Sequence, residues 1–267
     1  MKLTTIINNT GYERNEMIAP GRKKGNPKLL ETDTCLHFAN TIENRSDKDN
    51  RRDLIESYRD FIQWCISARV ISSEQAARLL ASAGREESAG MRALADALEL
   101  REIIHRIFRA KALGREPVEQ DMRGFNAFHA RAMAASTLLV AGSRYAVTFA
   151  PVAGSLDWPL NPIAWSAAQL LTGDGLERVK ICSDERCGWL FIDESRNGSR
   201  RWCDMSGCGN RAKARRHYQR RAMRGGITQP SRARRIEKPT QGDGMKGAAE
   251  YRNRSPSEPE MEIGSDD

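Results

Sequence analysis

The chain has 267 residues, 39% of them hydrophobic and 29% charged, with a formal net charge of +8. That length allows one large domain or two small ones. No run of ~18 apolar residues occurs, which excludes a transmembrane helix, and positions 1–20 lack the apolar core and cleavage site of a secretory signal, so a cytoplasmic location is expected.

The charge is unevenly placed. Between Arg178 and Arg235 there are 16 Lys or Arg against 5 Asp or Glu, a net of +11, whereas the remainder carries a net of −3. A mildly acidic body is joined to a strongly basic module, the asymmetry a nucleic-acid partner requires.

Residues 1–30 are polar and read as a flexible leader. Helical periodicity starts near Asp33, with Leu36, Phe38, Ala39 and Ile42 on one face, and resumes through Leu54, Ile55, Tyr58, Phe61, Ile62 and Cys65, where Asp53 is a plausible N-cap. Ser72 and Gln75 form a capping-box pattern at the start of a short helix. The longest helix is predicted from Ser88 to Leu113, with Gly114 placed to end it. Another follows Pro117 through Phe125, Phe128 and Met133. The period then changes: Thr137–Val140 and Tyr145–Phe149 are β-rich runs joined by Gly142-Ser143, a β-hairpin signal. Pro159 and Pro162 introduce a helix from about 163 to 171. Cys35 and Cys65 lie on apolar helical faces and read as core residues. His105 and His129 also fall in helices. No nucleophile–base pair, phosphate loop or His/Asp/Glu constellation appears, so no catalytic residue and no enzyme activity is expected.

The other four cysteines are Cys182, Cys187, Cys203 and Cys208. Each pair has four residues between partners, and fifteen residues separate the pairs. Two knuckles brought together offer four thiolates to a tetrahedral ion, the arrangement zinc prefers. A redox switch using the same thiols and substitution of one ligand by His217 are the competing readings. Trp189-Leu190-Phe191-Ile192 reads as a short strand and Asn197-Gly198 as a turn. A segment this short depends on a metal for most of its stability. Asn210 can cap the helix that follows. Its Lys213, His217, Arg220 and Arg224 share one stripe, and Arg211 and Arg215 form an i, i+4 pair. Arginine favours bidentate contact with phosphate or guanine. The candidate nucleic-acid-binding residues are therefore Arg196, Arg200, Arg201, Arg211, Lys213, Arg215, Arg216 and Arg220. DNA is the expected partner. RNA is the alternative, with Trp189, Trp202 and Tyr218 available to stack bases. After Ile236 the chain lacks large apolar residues and reads as disordered.

The run Cys182…Cys187-Gly188-Trp189-Leu190-Phe191…Arg200-Arg201-Trp202-Cys203…Cys208-Gly209-Asn210-Arg211 resembles the CGNR zinc finger. Upstream, Cys35-Leu36-His37-Phe38-Ala39-Asn40-Thr41 resembles the opening of the ABATE domain that usually precedes that finger in bacterial proteins. Trp158-Pro159-Leu160 with Pro162 resembles its close. His37 departs from the pattern, standing where an acidic residue is expected. The resemblance implies zinc on the four cysteines, DNA binding by the finger, and a stress-induced transcription regulator whose N-terminal domain senses a small molecule or partner. Asn40, Asn44 and Arg45 are the polar residues placed to line such a pocket. The expected fold is mainly α with a small β-hairpin, followed by a zinc-ribbon-like finger and a basic helix. The expected segments are a leader over 1–30, an ABATE-like domain over 31–176, the finger and helix over 177–226, and a disordered tail over 227–267.

Overall fold

The computed structural model describes residues 33–141, 144–152 and 154–225. The leader over 1–30, the Gly142-Ser143 turn and the tail over 227–267 lie outside the described residues. The fold is mainly helical with small antiparallel strand pairs.

The body is built round one long helix. α1 spans Thr34–Ala39, α2 Tyr58–Ser67, α3 Ser73–Arg85 and α4 Glu87–Ala112. α5 spans Glu119–Ala134 and α6 Leu160–Thr172. α4 buries Ala97, Leu100, Ile104, Ile107 and Phe108 at 1% exposure or less, a stripe wide enough to serve neighbours on several sides. α1, α2, α3, α5 and α6 all pack on it. The capping box predicted at Ser72 and Gln75 forms as expected. Gly114, at φ 65°, ends α4 in the left-handed conformation that glycine adopts without steric cost.

Two local expectations are corrected. Ile42 does not continue α1; Ile42–Glu43 (β1) pairs with Arg52–Asp53 (β2). α1 stops at Ala39 because Thr41 turns its hydroxyl back onto the Phe38 carbonyl and Asn40 turns its side chain outward to Leu190. Asp53 is not the cap of α2. That cap is Ser57, in a reciprocal box with Asp60. Asp53 instead accepts two hydrogen bonds from the buried Arg101, at 2.6 and 2.7 Å.

The predicted hairpin is present as β3 (Ser136–Ala141) and β4 (Arg144–Phe149), in register from Ser136↔Phe149 to Ala141↔Arg144. Its root is buried at Phe149, while Leu138, Val140 and Tyr145 stand exposed. Beyond α6 the chain forms β5 (Val179–Ile181) and β6 (Leu190–Ile192), an antiparallel pair pairing Val179 with Ile192 and Ile181 with Leu190. The sequence pattern indicates β6 but not β5. A π-helical turn at Met205–Gly209 leads into α7, Asn210–Gly225. Asn210 therefore lies inside the helical run rather than capping it. The cap is Asp204, whose carboxylate accepts from the Gly207 amide.

Candidate metal centre and basic face

β5 delivers Cys182, and the return into β6 delivers Cys187. The loop between them closes through Cys182 N donating to the Trp189 carbonyl (2.8 Å) and Cys187 N to the Asp184 carbonyl (2.9 Å). Cys203 and Cys208 bracket the turn that Asp204 caps. All four side chains are buried, and their sulfurs lie within 4.8 Å of one another. Cys187 and Cys208 each stand 3.7 Å from Cys203. A tetrahedral ion with metal–sulfur bonds of ~2.3 Å sets its ligands about 3.8 Å apart, so this spacing fits a four-thiolate site. It is far too long for a disulfide, and none of the six cysteines is disulfide-bonded. His217 is exposed and lies outside the cluster. Cys35 and Cys65 lie in the helical core, where burial pushes the Cys35 thiol up to about 12 and raises Cys65 as well. Both remain neutral and outside the cluster.

Two buried aspartates organise the module. Asp184, between the first two cysteines, has no exposed side-chain surface. It accepts from Arg211 Nε at 2.8 Å, from both Arg215 Nη atoms at 3.4 Å and from the Arg186 amide. Burial alone would raise its carboxyl, but these donors outweigh it and hold the group below the ordinary carboxylate value. Arg211 also directs Nη2 at the Cys208 sulfur, 2.9 Å away, an outer contact suited to a metal-bound thiolate. Asp193 accepts from Lys180 Nζ, from the amide and hydroxyl of Ser195 and from the Arg200 amide, fixing the loop from 193 to 200. Asp184 does not stand out in the sequence, because its arginine donors lie 27 and 31 positions away.

These contacts divide the candidate nucleic-acid residues. Arg200, Arg211 and Arg215 are committed inward. Arg200 lies over the Phe191 ring and donates to the Trp202 and Cys203 carbonyls. Arg196, Arg201, Lys213, Arg216 and Arg220 are exposed. On α7, Lys213, Arg216, His217 and Arg220 occupy the face opposite the Arg211–Arg215 pair, as their three- and four-residue spacing dictates.

Asn40, Asn44 and Arg45, expected to line a ligand pocket, have other tasks. Asn40 holds the backbone of Leu190 at both ends, donating Nδ2 to its carbonyl (2.8 Å) and accepting its amide (2.9 Å). Trp189 Nε1 donates to the Ile42 carbonyl at 2.7 Å. The amides of Arg45 and Ser46 donate to the carbonyls of Cys187 and Arg186. The Arg45 guanidinium pairs with Glu102 at 2.6 Å, and Asn44 donates to the Asn50 carbonyl. Gly188 sits against this loop at φ 70°, where an added Cβ would lie 2.6 Å from Ser46 Oγ. Val179 and Leu190 belong to the same hydrophobic core as α1 and α4. The first knuckle is thus bolted to the helical body. Asn40→Ala leaves the Leu190 amide and carbonyl without partners, so unfolding should be easier by about 2–4 kcal/mol, read by urea denaturation. A change below about 0.5 kcal/mol would show that the joint carries no load.

The joint also has a pH dependence. His105, buried on α4, meets the Gly188 carbonyl at 3.0 Å and so donates from Nε2. Burial, together with the Arg45 charge, lowers its pKa to about 4. The unfolded chain, with an imidazole near 6.5, takes up the proton first. Stability from neutral His105 is therefore complete above about pH 6.5 and lost as pH falls toward 4, by up to about 3 kcal/mol. His105→Gln should flatten the denaturation-versus-pH curve over that window. An unchanged slope would contradict the assignment.

Two protein-family models match the chain. A model named ABATE, described as "Putative stress-induced transcription regulator", matches residues 32–174, more than half of the chain. The chain belongs to the ABATE family. A second model, the CGNR zinc finger, matches residues 178–221 and so takes in all four cysteines and the first three turns of α7. The two matches follow one another in the order that the sequence resemblance implied. An ABATE protein with a four-cysteine finger fits a regulatory zinc protein. No curated protein matches the chain. No helix among the described residues of this ABATE protein is long and apolar enough to cross a membrane.

Proposed function

We propose that this ABATE protein is a zinc-dependent, DNA-binding transcription regulator of the cytoplasm. Cys182, Cys187, Cys203 and Cys208 hold zinc, α7 contacts DNA, and the helical body receives a small molecule or partner. It binds rather than catalyses. Zinc supplies the cross-link that ties the two knuckles together and allows four thiolates to coexist.

The observation that carries the DNA reading is the outward face of α7. Lys213, Arg216 and Arg220 are exposed, and among the described residues none of them meets a carboxylate in an ion pair. Like charges held this close on one helix repel one another unless a polyanion is present. RNA binding by base stacking has less support. Trp189 is tied to Ile42, and Trp202 carries arginines on its ring, which leaves Tyr218 as the freely exposed aromatic of the three.

Lys213→Gln with Arg220→Gln should weaken binding of the zinc-loaded protein to a short duplex by tenfold or more at ~0.1 M salt, without changing its stability. A gel-shift series measures this. Unchanged affinity would remove α7 from the interface, and preference for structured RNA over duplex at equal salt would favour the RNA reading.

A further inference from the structure

The indole of Trp202 brings together two arginines from different parts of the module. Arg201, from the approach to the second knuckle, places Cζ 5.6 Å from the Trp202 ring centroid. Arg216, from the second turn of α7, places Cζ 5.8 Å from the same centroid. Both side chains are exposed. Among the described residues neither meets a carboxylate in an ion pair, in contrast to Arg211 and Arg215, which share Asp184.

The ring itself is held in place. Trp202 is half-buried and packs on the cluster formed by the four cysteines and Phe191. Its carbonyl accepts from Arg200 Nε. The Arg201 carbonyl accepts from the Ser183 amide in the first knuckle, which fixes the backbone on the other side. An aromatic face orients guanidinium groups without neutralising them; Arg216 Nε donates to the Ala212 carbonyl at 3.4 Å, which leaves its two Nη groups to reach outward. Two fixed cations left without a counter-charge form a site for an anion.

We infer that Arg201, Trp202 and Arg216 form a clamp for the phosphodiester backbone of the nucleic acid, separate in role from the Lys213–Arg220 stripe. The inference rests on the nucleic-acid reading above. The ring positions and the arginines contact. Such contacts set register and affinity but carry no sequence information. Because the ring rests on the cysteine cluster, the clamp is assembled only when the metal site is.

The test uses the full-length, zinc-loaded protein and a labelled DNA duplex of arbitrary sequence, titrated over a range of salt concentrations. Removing two phosphate contacts in Arg201→Gln/Arg216→Gln should make the slope of log affinity against log salt shallower by about 1.8. Trp202→Leu should reproduce much of that loss with both arginines and the zinc content intact, and Trp202→Phe should restore most of it. If the double arginine variant keeps the wild-type slope while Lys213→Gln/Arg220→Gln does not, the clamp is overturned and the nucleic-acid reading stands. If wild-type protein does not bind duplex at all, that reading fails first. Trp202→Leu with wild-type binding beside a weakened arginine pair would show that the arginines act without the ring, which also overturns the clamp. Should Trp202→Leu fail to hold zinc, the slope of the arginine pair and the affinity of Trp202→Phe still decide.

Discussion

Withdrawing the metal, by a strong chelator or by Cys203→Ala, should unfold the knuckles while leaving most of the helical body standing. The second knuckle and the interior between the cysteines have only a small apolar cluster of their own. That cluster consists of the four cysteines, Phe191, Trp189 and Trp202. Structural zinc contributes about 10 kcal/mol or more in comparable modules, far above what such a cluster supplies. Cys203 is one of four sulfurs that lie within 4.8 Å of one another, so its loss leaves the ion a ligand short. Thiol titration gives a clear pattern. Before chelation none of the six cysteines should react quickly. Afterwards Cys182, Cys187 and Cys208 should, together with Cys203 where it is present. Cys35 and Cys65, at 0% exposure in the helical core, should stay protected. Because Leu190 lies in the core of the body and is held by Asn40, the melting temperature of the body should also fall by a few degrees. Rapid reaction of Cys35 and Cys65 together with the others would mean that body and knuckles unfold as one.

Asp184→Asn should cost about 1–3 kcal/mol in the stability of the module, because the carboxylate is buried while its two arginine partners stay partly in solvent. The carboxylate is fully enclosed and serves Arg211 and Arg215 together. The variant leaves two guanidinium groups half-buried without their counter-charge, and it loosens α7 from the first knuckle. Zinc should then pass to a chromophoric chelator faster than from the wild type. Glu185→Gln, one residue along and exposed, should change stability by no more than about 0.5 kcal/mol. Equal behaviour of the two variants would contradict the central place given to Asp184.

Features governed by near neighbours were legible in the sequence. The spacing of the cysteines, the Ser72–Gln75 box and the β-rich runs of the β3–β4 hairpin are each contained within a few residues or one short module. Features that depend on residues far apart were not. Asn40 reads as a polar side chain on an apolar helix, and nothing nearby shows that it holds Leu190, 150 positions away. Arg211 and Arg215 look like two more cations in a basic run, because their anion lies 27 and 31 positions upstream. β1 and β5 have two and three residues, too few to show a period. The likeness of Arg200 to Arg201 in sequence conceals opposite roles, since one faces inward over Phe191 and the other outward on Trp202.

Everything proposed for the module depends on four sulfurs sharing one ion. X-ray absorption at the zinc edge, combined with metal analysis of the purified full-length protein, tests that most directly. One zinc per chain with four sulfur neighbours at ~2.3 Å is the predicted result. Less than about half an equivalent of zinc, with all four thiols freely titratable, would contradict it.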